Sequence, residues 1–285
     1  MSQFTDQKYL KEEQYHSPVN LDYRIILHEK FSTGKVPWTT WVFRHLAIEE
    51  NQQVLAVGCG NATQWRDNAA KFPASTRFAL MDLSVGMLVG GRQGIGPSDP
   101  RISYISGDAQ YLPFPSASFD RVTANHMLYH VPTIDLAVEE CARVMKPDGL
   151  FIAATNGISH MDDLHNLYEE FEPGFRLPDS VRRRFSLQNG ADYLCMQFAE
   201  VRMDRYKSDL WVTDAQALVN YAFSMWDVAE EFTDQKANRM KAFFQEKIDT
   251  DGGIKIRKET GLFLASQIPG LIDSLGILQA EQELS

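Results

Sequence analysis

Three turns in the first half of the chain combine glycine, acid and histidine in an order that could hold a nucleotide and work beside it. VLAVGCGNATQW, residues 54–65, starts as an apolar run and breaks at Gly58-Cys59-Gly60 before turning polar. A strand that ends in Gly-x-Gly and feeds a helix lets a ligand approach the backbone closely, because side chains are absent there and the helix amides point outward. RFALMDLSVGML then ends its apolar run on Asp82, and SGDAQYLPFPSASFD carries Asp108 beyond the following run. At strand tips facing one crevice, Asp82 can accept both hydroxyls of a ribose, and Asp108 can accept from an exocyclic adenine amine. Two acids in order behind a Gly-x-Gly turn are hard to place by chance. NHMLYH follows with His126, Tyr129 and His130. A neutral imidazole there could take a proton from a phenol, an amine or an activated carbon; the plainer alternative is packing under a lid or capping of the next helix.

Other nucleotide signatures fit less well. Thr63 stands where the third glycine of a dinucleotide fingerprint belongs, and no Gly-Lys-Ser/Thr follows the turn, which argues against NAD, FAD and a Walker loop.

These residues need strands to carry them. Apolar runs at 53–57, 77–81, 102–106, 119–124 and 149–154 alternate with segments that can be helical, the pattern of a parallel sheet. DLAVEECARVMKPDG puts Leu136, Val138, Cys141, Ala142 and Met145 close to one side and stops at Lys146, Pro147 and Gly149. Two helix-like segments, 19–31 and 38–46, precede the first run, with Pro37 suited to a first helical position. After residue 155 the alternation lapses: NGISHMDDLHNLYEEF and SLQNGADYLCMQF read as helices, the second capped by Ser186, and AEVRMDRY as a strand. TDAQALVNYAFSMW and a charged segment at 227–249 are helical, and GIKIRKETGLFLA closes the sheet as a hairpin or bent strand.

The series VLAVGCG, FALMDLSVGML, GDAQYLPFPSASFDRVTANHMLYHV and ARVMKPDGLF resembles the class I S-adenosylmethionine-dependent methyltransferases, closest to the ubiquinone/menaquinone-methyltransferase-like group, over residues 51–155. That resemblance implies an α/β fold, a Rossmann-like seven-stranded mostly parallel sheet with an antiparallel last strand and a helical cap. It implies S-adenosylmethionine as cofactor and S-adenosylhomocysteine as product. By resemblance Gly58, Cys59 and Gly60 lie beside the methionyl moiety, Asp82 holds the ribose, and Asp108 with Ala109 contacts adenine. Leu83 and Met87 cover the adenine rim, and Asn125 and His126 lie near the cofactor amine and sulfonium. Two positions depart from the family: Ala56 replaces an acid that usually faces the methionyl ammonium, and Asn61-Ala62 replaces a further glycine. Asn61 tolerates left-handed dihedrals better than most residues, so the turn can survive.

Related methyltransferases cover the cofactor with an amino-terminal helix. In LDYRIILHEKF, Leu21, Arg24, Ile25 and His28 share a helical face, so Arg24 could reach the methionyl carboxylate and Tyr23 or His28 the acceptor. The alternative pairs Arg24 with a surface acid and leaves His28 a core residue. TNGISHMDDLH sets Asn156, His160 and Asp163 beyond the fifth strand, to line an acceptor pocket or to cap a helix. No metal ligand set is expected. The domain reading is a helical cap over 1–50 and a cofactor-binding domain over 51–285 with a lid insertion at 157–197.

Composition narrows the partners. At 285 residues and 44% hydrophobic the chain can bury a full core, and a net charge of −10 repels a phosphate backbone. The short basic patch Arg182–Arg184 does not reverse that. No apolar run is long enough to span a membrane, the amino terminus lacks the blocks of a signal peptide, and Cys59, Cys141 and Cys195 show no disulfide or zinc spacing, so a cytoplasmic protein is expected. Trp38, Trp41, Phe171, Phe175, Tyr193, Trp211, Tyr221, Phe223 and Trp226 flank the cofactor core and suit an apolar or aromatic small-molecule methyl acceptor. The rivals are a catalytically silent cofactor-binding scaffold, a protein or RNA methyltransferase, and, last, an NAD enzyme. The segment 227–249 and the tail LIDSLGILQAEQELS could serve a homo-oligomer or pack on the sheet.

Overall fold

Val54, Leu55, Ala56 and Val57 are all but inaccessible, and this explains why the strand that feeds the glycine turn is apolar on both faces. In the computed structural model, which describes residues 5–96, 99–175, 183–225 and 233–278, this strand, β1 (Gln53–Val57), lies inside a seven-stranded sheet. Its neighbours are β2 (Arg77–Asp82) and β4 (Phe119–Thr123), both parallel to it. With β3 (Ile102–Ser106), β5 (Met145–Asn156), β6 (Glu200–Arg205) and the last strand, β9 (Thr260–Ser266), the order is β3-β2-β1-β4-β5-β9-β6. β9 runs antiparallel to β5 and to β6. The strand tips carrying Gly58, Asp82 and Asp108 therefore emerge along one edge, as a Rossmann-like fold requires.

Each face of the sheet carries its own core. The helix Ile134–Val144 and the segment 185–198 cover one face through Val138, Cys141, Phe185, Leu194 and Phe198. The helices Trp38–His45 and Thr63–Asn68 cover the other through Trp41, Val42 and Trp65. A third apolar cluster lies off the sheet. It joins the helices Val19–Phe31, Asp162–Phe171, Ala215–Met225 and Asp234–Asp251 to a two-stranded sheet of β7 (Leu210–Val212) and β8 (Ile254–Ile256), and it forms the cap. Truncating an inaccessible cap residue such as Leu218 to Ala would cost about 2–5 kcal/mol.

Several local expectations need correction. GIKIRKETGLFLA is not a hairpin: its first apolar run is β8 in the cap sheet, and its second is β9 in the main sheet. Both runs are short and apolar, so alternation could not tell which partner each would find. The segment 185–198, expected within the lid, packs on the sheet, and its helix covers only Gly190–Leu194. Ser186 does not cap that helix by side chain; its N–H and hydroxyl donate to Asn189 Oδ1. Leu136 is 37% exposed, because the helix Ile134–Val144 turns Val138 and Cys141 to the sheet and Leu136 away. Met145 opens β5 instead of closing that helix, and Pro37 stands at the N-cap, one position before the helix it introduces. Arg182, Trp226, residues 227–232 and the tail from 279 lie outside the described residues.

Candidate functional site

The glycine turn is built by backbone geometry. Gly58 (φ +66°) and Gly60 (φ +56°) both take the left-handed conformation. A Cβ on Gly58 would lie 2.7 Å from Met127, and one on Gly60 would press on Leu21 of the amino-terminal helix. At the departure from the family pattern it is Ala62 (φ +57°), not Asn61, that takes the left-handed step. Gly91 makes room for it, since any side chain there would collide with the Ala62 methyl. Asn61 serves as a clasp instead. Its Oδ1 accepts from the Thr63 N–H and hydroxyl, and its Nδ2 donates to Asp22 Oδ1 at 2.7 Å, tying the turn to the helix above.

Asp82, the last residue of β2, closes the turn from the side. Its carboxylate accepts from Gly60 N and Ser84 N, each at 2.8 Å. Burial raises its pKa, and the N–H groups of Ser84, Gly60 and Leu83 oppose that rise. Two carboxylate oxygens held in this way keep spare lone pairs for a diol. Met87 and Ala109 are buried beside the strand tips. Asp108 accepts from Gln110 N at 2.9 Å and from the side-chain amide of Gln7 at 2.7 Å, a contact of the kind an exocyclic amine would make. Gln7 belongs to a segment that drapes over this edge, for Ser84 Oγ donates to the Tyr15 carbonyl at 2.7 Å and the His16 carbonyl lies against Gly86. At the tip of β4, Ala154 N donates to Asn125 Oδ1, and Asn125 Nδ2 donates to Gln64 Oε1 at 2.7 Å. Gln64 Nε2 is then buried with no partner among the described residues.

The amino-terminal helix turns the expected face inward: Leu21, Arg24, Ile25 and His28 are part-buried, whereas Val19, Tyr23 and Ile26 are exposed. Tyr23 thus lies on the exposed face of the helix, opposite Arg24 and His28. Tyr15, missed in the sequence, links Arg24 to His130. Its hydroxyl lies 3.1 Å from His130 Nε2 and receives Arg24 Nη1 at 3.4 Å, while the guanidinium sits 5.3 Å from the Tyr15 ring centroid. Arg24 Nε donates to the Asn20 carbonyl, and Nη2 is buried with no partner among the described residues. Burial pulls the guanidinium pKa down, but Tyr15 more than offsets this and leaves it raised. Arg24 is a fixed cation.

Around this group His28 and His126 are neutral. Burial first, then the charges of Lys258, His126 and Arg24, lower His28 to about 3. His126, in a left-handed conformation with its ring 5.3 Å from Trp38, is lowered by burial and by Lys258 to about 4. Burial drives the Tyr129 hydroxyl far above its ordinary range, which makes that phenol a poor proton donor or base. His28 packs 5.9 Å from His160 and 6.2 Å from Tyr221. His160 Nδ1 lies 3.0 Å from the Glu259 carbonyl, which fixes its ring. Asn156 ends β5 with its backbone in register with Thr260, and Asp163 forms a surface pair with Arg257 at 2.6 Å instead of lining a pocket. Lys258, also missed, reaches into this region from the loop between β8 and β9, 5.2 Å over the Tyr206 ring.

The donors and acceptors present fit an adenosyl amino acid. Asp82 and Asp108 can accept from its ribose and base, and the orphaned Arg24 Nη2 and Gln64 Nε2 can donate to its carboxylate. Ala56 packs in the core and offers nothing to an ammonium.

Comparison with known proteins bears on residues and fold alike. A family model described as a methyltransferase domain matches residues 55–153. A demethylmenaquinone methyltransferase of Lysinibacillus sphaericus is 30% identical over 133 residues, covering 47% of this chain and 56% of that protein. A sterol 24-C-methyltransferase of Gibberella zeae is 28% identical over 175 residues, covering 59% of this chain and 44% of that protein. The chain thus spans about half the length of these relatives. Among solved structures, a Haemonchus contortus phosphoethanolamine N-methyltransferase 2 in complex with S-adenosyl-L-methionine superposes with a TM-score of 0.59 at 17% identity, covering 94% of this chain and 60% of that one.

Proposed function

We propose, for a chain whose residues 55–153 belong to the class I S-adenosylmethionine-dependent methyltransferases, that it transfers the cofactor's methyl group to an oxygen, nitrogen or carbon of a small apolar or aromatic metabolite held under the cap. The observation that carries this reading is Arg24: a buried cation whose Nη2 has no partner among the described residues, on the helix that covers the glycine turn. A buried charge of this kind is costly unless a ligand completes it, and a methionyl carboxylate would. When bound, S-adenosylmethionine supplies a methyl group on a cationic sulfur with a neutral thioether as leaving group. The protein's part is then positioning and exclusion of water. Gly58 and Gly60 let the ligand approach the backbone, Asp82 and Asp108 fix its nucleoside, and Arg24 with Gln64 fixes its amino-acid end. Leu83, Met87, Ala109 and Cys59 complete the walls, and Asn125 orients Gln64.

For a weakly acidic acceptor the base is His130, reached through Tyr15. The acceptor proton passes to the Tyr15 oxygen as the Tyr15 proton passes to His130 Nε2, and Arg24 Nη1 stabilises charge on that oxygen. His126 and His28, neutral and ringed by aromatics, bound the acceptor with His160 and Asn156.

The acidic chain favours a small molecule over nucleic acid, and among the described residues no helix is long and apolar enough to cross a membrane. A cytoplasmic biosynthetic enzyme for a specialised metabolite fits these features. Incubation with S-adenosylmethionine and a panel of phenols, quinols, amines and isoprenoid alkenes, followed by mass spectrometry, tests the proposal. Acceptor-dependent release of S-adenosylhomocysteine with a methylated product supports it; cofactor binding with no turnover on any acceptor would favour the silent scaffold.

A further inference from the structure

Lys258 stands apart from the charged residues on either side of it. In the run Lys255 to Glu259, Lys255 reaches Asp209 at 3.5 Å, Arg257 pairs with Asp163 at 2.6 Å, and Glu259 pairs with Arg205 at 2.9 Å. Lys258 alone turns inward. Its ammonium lies over the Tyr206 ring, whose edge packs on Trp38 at 5.2 Å, and Trp38 in turn lies against His126. Among the described residues no carboxylate lies within ion-pair distance of its Nζ. Asp209, the one acid whose charge it feels, is engaged by Lys255 and by the Lys258 backbone N–H. The charges of Lys258 and Arg24 are both felt at His28, so two cations converge on a region where His28 and His126 are neutral and, among the described residues, neither cation has a carboxylate at ion-pair distance.

We propose that Lys258 anchors an anionic oxygen of the methyl acceptor, so that the acceptor is a small aromatic or apolar acid, a carboxylate or an ionised phenol or enol, and not a neutral lipid. This rests on the methyltransferase reading above, in which Arg24 is taken by the cofactor and Lys258 is left for the second ligand. An inward cation without a counter-ion is unfavourable, and the ring of Tyr206 offsets only part of that cost. Burial lowers Lys258 to about 8, with Asp209 opposing, so the ammonium is still mostly protonated at neutral pH. The setting also predicts selectivity. A neutral isostere would leave the cation unanswered, whereas an acid with an apolar body meets both the ammonium and the aromatic wall of Trp38 and Tyr206.

The test uses benzoate and its neutral isostere benzamide, titrated calorimetrically into the full chain with and without saturating S-adenosylhomocysteine, for the wild type, Lys258→Met and Lys258→Arg. The expected result is benzoate binding about tenfold tighter than benzamide in the wild type, loss of that preference in Lys258→Met, and its retention in Lys258→Arg. S-adenosylhomocysteine affinity should be the same in all three. Removing an unpaired inward charge should not lower the melting temperature, so a folded Lys258→Met is expected. Equal binding of the two probes by the wild type, no benzoate binding, or a preference that survives Lys258→Met would overturn the proposal. If the wild type fails to bind S-adenosylhomocysteine, the methyltransferase reading fails by itself, and the titrations without it still decide the role of Lys258.

Discussion

The two halves of the site use different materials. On the proposed cofactor side, the surface is made by backbone and by two acids at successive strand tips, so that Gly58, Gly60, Asp82 and Asp108 are placed by the sheet itself. On the proposed acceptor side it is made by side chains of separate elements, Tyr15, His28, His130, Tyr221 and Lys258, with Arg24 at the border between the two. The charges differ as well: in the proposed reading acids answer the nucleoside, and Lys258 with neutral rings faces the acceptor. One half is set by topology and can be kept while the other changes with the substrate.

If the halves are separable, a change on the acceptor side should abolish turnover and spare the cofactor. His130→Asn and Tyr15→Phe should each lower the rate with a weakly acidic acceptor by about 10²–10⁴-fold, with S-adenosylhomocysteine affinity held within about twofold in calorimetry. A parallel loss of affinity would break the division. The converse is Asp82→Ala, which should weaken S-adenosylhomocysteine binding by roughly 1.5–3 kcal/mol, on the order of ten- to a hundredfold.

The neutral histidines allow a test by pH. His28 and His126 titrate near 3 and 4 in the folded chain, below the unfolded value, so as pH falls below about 6.5 the unfolded state binds protons that the folded state does not. Their contribution to stability is whole above that pH and is lost on acidification toward the folded values. At pH 5 the loss should be on the order of 2 kcal/mol per histidine, seen as a falling melting temperature. His28→Phe should flatten that slope without changing S-adenosylhomocysteine affinity. The smallest effect belongs to Tyr23→Ala, on the outer face of the helix: stability within about 0.5 kcal/mol and kinetics as in the wild type. A large loss of turnover there would restore Tyr23 to the acceptor site.

The same division governs what could be read from the residues. Gly58, Asp82 and Asp108 announce themselves because each ends an apolar run, and strand period alone fixes where a run ends. The inward stripe of the helix Val19–Phe31 was legible for the same reason, at helical period. Tyr15 was not. It follows a π-helical turn over Leu10–Gln14, whose spacing matches neither strand nor α-helix, and its partner His130 is far along the chain. Lys258 was hidden inside Lys255-Ile-Arg-Lys-Glu259, where every charged residue looks solvated and only the split of β8 from β9 turns one inward. The left-handed Ala62 could not be foreseen either, since its tolerance depends on Gly91 in another helix.

The central claim is that the glycine turn and its two acids form an S-adenosylmethionine site, and calorimetric titration of the wild type with S-adenosylhomocysteine, with NADH as control, tests it most directly. The account predicts saturable binding of S-adenosylhomocysteine at one site per chain and no heat beyond dilution from NADH. NADH binding in its place, or silence from both ligands, would contradict it.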